Sequence, residues 1–379
     1  MRLVEVRFYS GGTRVIDADM LDATAAELGR SVAVPALVDL CCEPGFPGFP
    51  VRETPESLVA SAAAGGFGAL LLSPRVDPVL DTHEQLARVH AQLGGVRLLY
   101  AGALTRGLLG TELAECGLLR QAGAVALSDG GVAHRDTIVL KNVLEYAAAF
   151  AMLVVLRPCD ADLDGQGVVH DSSLAAHLGM RGNSAANEEI GVSRIWALVR
   201  ATGSRVHLSH ISTAAGARMV AAARAEGLAI TGSTPARNLV LVEDDLDDAQ
   251  YDARYRLHPP LRGKADRAAL IDAVRAGHLV VAADHQPRAP EEKDHEFERA
   301  VPGSAGLRSA FAAAFTAIGS IETTVAACCL GPAAILGHDV PGCAVIDPAG
   351  ETVVPTGAPC DALAGRALRG RVLGFCASA

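Results

Sequence analysis

Pro35-Ala36-Leu37-Val38-Asp39-Leu40-Cys41-Cys42-Glu43-Pro44-Gly45 is a short apolar run that ends in a Pro/Gly turn. Ala36–Leu40 reads as a strand buried on both faces, because the run does not alternate with polar residues. The same unit recurs along the chain. Further strands are expected at Gly68–Leu72, Arg97–Ala101, Ala124–Leu127, Met152–Leu156, Arg205–Ser209, Leu228–Thr231 and Leu279–Ala283. Amphipathic stretches follow each of them: Pro55–Ala64, Thr82–Leu93, Thr111–Gln121, Asp136–Phe150, Ala186–Thr202, Thr213–Glu226, Lys264–Ala276 and Gly306–Ile318. Eight such β/α units predict a closed (β/α)8 barrel of the TIM type. Helix starts carry matching caps in Thr54-Pro55-Glu56, Asp81-Thr82 and Ser212-Thr213.

The ends read differently. Leu3–Tyr9 and Val15-Ile16 at the start are β-like, as are Ala344-Val345-Ile346, Thr352-Val353-Val354 and Arg371-Val372-Leu373 at the end. The expected division is therefore a barrel over residues 34–325 and a small β-subdomain formed by 1–33 with 326–379. Two β→α loops are long, Arg157–Ala185 and Gly232–Gly263. In a barrel such loops lie on the face where sites are built.

Composition narrows the function. The 379 residues are 50 % hydrophobic and 20 % charged, which reads as ordered and globular. A net charge of −10 argues against nucleic-acid binding. No apolar run approaches a membrane span, and Met1-Arg2-Leu3-Val4-Glu5 lacks the long apolar region of a signal peptide. Nine scattered cysteines without a CxxC pair suit a reduced cytoplasmic setting.

Several motifs resemble the dihydroorotase family of the amidohydrolase superfamily. Ala62-Ala63-Ala64-Gly65-Gly66-Phe67, His207-Leu208-Ser209-His210-Ile211-Ser212-Thr213, Pro259-Pro260-Leu261-Arg262, Ala283-Asp284-His285-Gln286-Pro287 and Pro302-Gly303-Ser304-Ala305-Gly306-Leu307 are close to its patterns. Active members hold zinc with four histidines and acidic or carboxylated groups, and the metal activates a water that attacks a cyclic amide. At the matching positions this chain departs from them. In the family a His-x-His pair and an arginine stand between the Asp-Leu and Glu-Pro-Gly of the first strand. Here only Cys41-Cys42 fill that space, and no two of the twelve histidines are two residues apart. Asp129, His210 and Asp284 match ligand positions, and Arg157 stands where a ligand histidine is found. At the substrate positions, Arg75 and His258 replace asparagines, Arg288 replaces a histidine, and Arg262 is kept. Thr-Pro-His-His has become Thr234-Pro235-Ala236-Arg237.

These departures predict remnant metal positions at Asp129, Arg157, His210 and Asp284, and remnant substrate positions at Arg75, His258, Arg262 and Arg288. No catalytic residue, metal or cofactor is expected. Asp129 is expected to pair with Arg157, and His207 to be packing. Gly102–Leu108, Pro78–Thr82 and Asp284–Pro287 look like the inactive branch of the family. The resemblance thus implies a noncatalytic pyrimidine-biosynthesis subunit that assembles with the aspartate carbamoyltransferase catalytic chain, as a hetero-oligomer and also as a possible homodimer. The alternatives are a divergent metal-dependent cyclic amidohydrolase of the dihydroorotase or hydantoinase type, and a small-molecule sensor using the arginine-lined pocket.

Overall fold

A computed structural model describes residues 3–89, 95–355 and 360–377. Eight parallel strands form the barrel: Leu37–Cys42, Phe67–Leu72, Arg97–Ala103, Ala126–Ser128, Leu153–Leu156, Arg205–Leu208, Ile230–Pro235 and Val280–Ala282. Each pairs with the next in chain order. The last meets the first near its end, where Cys42 bridges His285 and the Glu43 N–H donates to the His285 carbonyl at 2.8 Å. The result is the expected α/β barrel, nearly closed.

Strand alternation separates two apolar layers. Val38, Leu40, Ala69, Leu71, Ala101, Ala126, Leu153 and Val155 fill the barrel interior. Leu37, Leu70, Leu72, Leu127, Val154, Val206 and Leu208 face outward and pack with helix residues such as Leu58, Leu119, Leu144, Val199 and Val220. The helices start where caps occur. Thr54 accepts from the Ser57 N–H ahead of Pro55–Ala64, and Thr213 accepts from the Gly216 N–H ahead of Ala214–Ala225. The helix expected over Thr82–Leu93 is described as His83–Val89, and residues 90–93 lie outside the described residues.

Strands from both ends of the chain share one five-stranded sheet. Its order is Ala367–Cys376, Cys343–Val353, Val32–Pro35, Leu3–Phe8 and Thr13–Asp17. Val6, Ile16, Ala33, Val345 and Leu373 form its own core. Val32–Pro35 runs almost directly into the first barrel strand, so the sheet is tied to the barrel by the backbone itself.

The long loop after the fifth strand is ordered by a close approach. Gly191 sits on the helix Ala185–Thr202, and a Cβ there would lie 2.2 Å from the Cys159 nitrogen and 2.4 Å from the Pro158 carbonyl carbon. Only a residue without a side chain lets this helix seat against the segment that follows Arg157. Gly191→Ala is expected to destabilise the fold by about 1–3 kcal/mol through overpacking, as read from urea denaturation. An unchanged midpoint would show that the loop yields freely.

Candidate active site

The C-terminal ends of the strands surround a cavity of about 150 Å³. Arg75, Asp129, Arg157, His210, His258 and Arg288 line it. The fold thus brings together residues spread over more than two hundred positions, because all of them follow barrel strands.

Asp129 follows the fourth strand and is buried. Its Oδ2 accepts from the Arg157 backbone N–H at 2.9 Å and its Oδ1 from the Gly131 N–H at 2.7 Å. Burial pushes its carboxyl up. The Arg157 guanidinium turns elsewhere, which corrects the expected Asp129 pair. Its two terminal nitrogens donate to Asp164 at 2.9 and 2.7 Å, and its Nε to the Gly131 carbonyl at 2.8 Å. A fork-on-fork pair satisfies both ions, whereas Asp129 is already bonded by main chain. His258 Nε2 lies 3.1 Å from the same Asp164 carboxylate. Burial raises the Asp164 carboxyl, but the bonds from Arg157 and His258 outweigh it and hold it well below the usual carboxylate range.

His210, which lines the cavity, meets Asp284, which lies buried outside its lining. His210 Nε2 lies 2.7 Å from Asp284 Oδ1. Both residues have left-handed backbone, with φ of 62° and 47°. Such strain in non-glycine residues persists only where the surroundings enforce it. Asp284 is fully buried. Its Oδ1 also accepts from Gln286 Nε2 at 2.7 Å, and its Oδ2 pairs with the Arg237 guanidinium. Burial disfavours its charge, but Arg237 and His210 overcome that and keep it ionised.

Arg75 is exposed at the cavity mouth, without an ion pair among the described residues. Arg288 donates to Glu43 Oε1 and to the Pro302 carbonyl, at 2.9 and 2.7 Å. Arg262 does not reach the cavity, which corrects its placement in the substrate pocket. It is buried, with bonds to the Asn183 carbonyl and Oδ1 and to Ser212 Oγ. Cys41 lines the cavity, but burial pushes its thiol well up, so it is not a ready nucleophile. His207 is buried between Thr231 and Ser233, each 2.9 Å away.

Sequence reasoning missed Asp164 and Arg237. Asp164 had no motif to mark it. Arg237 carried a signal in Thr234-Pro235-Ala236-Arg237, since a cation stands where the family has an imidazole.

The family-implied metal does not fit these residues. Among the described residues no three His, Cys, Asp or Glu side chains converge to hold an ion. Asp284 has its oxygens taken by His210, Gln286 and Arg237.

A family model described as Dihydro-orotase-like matches residues 29–215. The dihydroorotase of Anaeromyxobacter dehalogenans is 36 % identical over 325 residues, covering 83 % of this chain and 75 % of that protein. The chain belongs to the dihydroorotase family. The dihydroorotase of Pelotomaculum thermopropionicum is 35 % identical over 328 residues, covering 84 % and 75 %. In structure, the dihydropyrimidinase of Brevibacillus agri superposes with a TM-score of 0.78 at 19 % identity, over 98 % of this chain and 92 % of that one. That likeness supports the barrel fold. Relatives at 31–37 % identity named dihydroorotase overturn the expectation of a noncatalytic chain and point to an enzyme. The expectation weighed lost positions alone, and lost positions do not establish lost chemistry when other residues fill the same cavity. Among the described residues, no helix of this family member is long and apolar enough to cross a membrane.

Proposed function

We propose that this chain is a divergent cyclic amidohydrolase of the dihydroorotase or hydantoinase type, acting on a small anionic ring. The observation that carries this reading is the cavity itself, in a chain whose relatives are named dihydroorotase: it is lined by an imidazole held by a buried carboxylate and by an arginine with no ion pair among the described residues. Ring opening adds water across the amide. The oxygen bonds to the carbonyl carbon, the C–N bond breaks, and a proton passes to the ring nitrogen. His210 is the group at the cavity suited to move that proton. Asp284 fixes one ring nitrogen, while Nδ1 has no partner among the described residues. Arg75 supplies a positive charge for an anionic substituent.

The test is an assay of the purified chain with dihydroorotate, carbamoyl aspartate and a 5-substituted hydantoin, with and without added zinc. Turnover of at least one is expected, and His210→Ala should lower kcat/KM by about a hundredfold or more. Folded protein that neither binds nor turns over any of the three would sink the reading.

Association with an aspartate carbamoyltransferase is a separate proposal. It rests on the resemblance of Gly102–Leu108, Pro78–Thr82 and Asp284–Pro287 alone. Co-elution of the mixed proteins in a larger species tests it, and separate elution at micromolar concentration removes it.

A further inference from the structure

The seventh strand, Ile230–Pro235, ends in the turn Ala236–Leu239. That turn drives Arg237 inward until only 5 % of its surface is exposed. A guanidinium there needs an anion, and Arg237 pairs with Asp284. One terminal nitrogen pairs with Asp284 Oδ2 and the other donates to the Asp284 carbonyl at 3.1 Å. Its Nε has no partner among the described residues. Asp284 in turn has no exposed surface, and its other oxygen accepts from His210 and Gln286.

We propose that the Arg237 guanidinium is a built-in cation standing where the family holds a metal ion, neutralising Asp284 and through it fixing His210. Three strand ends contribute, since His210 follows the sixth strand, Arg237 the seventh and Asp284 the eighth. A buried carboxylate requires a paired charge, and a tethered arginine meets that need without an exchangeable ion. A metal entering this centre would have to displace Arg237, leaving a buried cation with no partner. The same geometry explains how a chain without the first-strand histidines keeps Asp284 and His210 in strained conformations. Their partner is now supplied by the polypeptide. Arg237 is a positioning residue, because it touches Asp284 and does not line the cavity.

The full chain carrying Arg237→Ala tests this by thermal melting. Its midpoint should fall by roughly 5 °C, because Asp284 loses its counter-charge. Millimolar ethylguanidinium should restore most of the loss, and ethylurea of the same shape should restore none. The restoration should vanish in Arg237→Ala/Asp284→Asn, where no anion remains. If the single variant does not fold, the double variant decides the matter. It should fold and melt near wild type, and a double variant that is also unfolded overturns the proposal. Wild-type melting with Arg237→Ala, or equal rescue by the charged and uncharged compounds, also overturns it. So does one zinc per wild-type chain that is lost with Asp284→Asn. None of these readouts is turnover, so failure here is distinguishable from failure of the cyclic-amide reading.

Discussion

Glu188→Ala is expected to remove about 4–5 kcal/mol of stability, a large share of what a folded domain holds. The Glu188 carboxylate is buried on the helix Ala185–Thr202 and takes four hydrogen bonds. Oε2 accepts from the Ser212 N–H and hydroxyl at 2.9 and 2.6 Å. Oε1 accepts from the Thr213 N–H and hydroxyl at 3.1 and 2.7 Å. Arg262 joins the same network through Ser212 Oγ at 3.3 Å. Alanine would strand four donors and leave a cavity beside a buried guanidinium. Losses above about 4 kcal/mol are rare and come from this kind of buried network. Gly216 is part of the fit, because a Cβ there would lie 2.1 Å from Glu188 Oε1. Ser212 and Thr213 follow His210 by two and three residues, so the network also sets where the imidazole stands. Glu188→Gln keeps the volume but turns one acceptor into a donor, and about half the loss is expected. Urea denaturation of the three proteins checks the order. A Glu188→Ala midpoint equal to that of wild type would refute the argument.

The same network shows what a sequence can and cannot tell. Arg262 stands in a motif shared with the family, but a motif does not say where a side chain points. Arg262 was expected in the substrate pocket and instead bonds Asn183 and Ser212 outside the cavity lining. The barrel was legible because its strands are short continuous apolar runs, a pattern that few folds require. The cavity residues were legible because strand ends must converge in a barrel. Pairing was not legible. Whether Arg157 meets Asp129 or Asp164 depends on a long loop whose path is set by Gly191 and Asn187 through tertiary contact. The order of the terminal sheet was likewise hidden. Val32–Pro35 joins it, although the sequence runs on without a break into the first barrel strand.

The chain's response to pH should turn on two buried groups that pull in opposite directions. Asp39 has no exposed surface; its Oδ1 accepts from the Ala283 N–H at 2.9 Å, and its Oδ2 has no hydrogen-bond partner among the described residues. Burial pushes its carboxyl from 3.8 up to about 6, with the nearby Asp284 charge adding to the rise. Between those values the folded chain holds a proton that the unfolded chain has released. Its contribution to stability is therefore fully present below the lower value and is lost as pH rises through the upper one. His207 behaves in reverse. Burial pushes it from 6.5 down to about 3, so the unfolded chain takes up a proton first and stability is lost as pH falls through that window. Over the shared range the two slopes oppose each other, so a wild-type profile alone shows neither. Asp39→Asn separates them. Removing the ionisable group should make the variant gain about 3 kcal/mol relative to wild type on going from acid to neutral pH, the equivalent of the Asp39 shift. The variant should also lose stability on acidification more steeply than wild type, because His207 is no longer opposed. Urea denaturation of both proteins at about pH 3 and about pH 7.5 spans the Asp39 window and most of that of His207. A variant-minus-wild-type difference that does not change with pH would mean that Asp39 is not the group whose burial opposes His207.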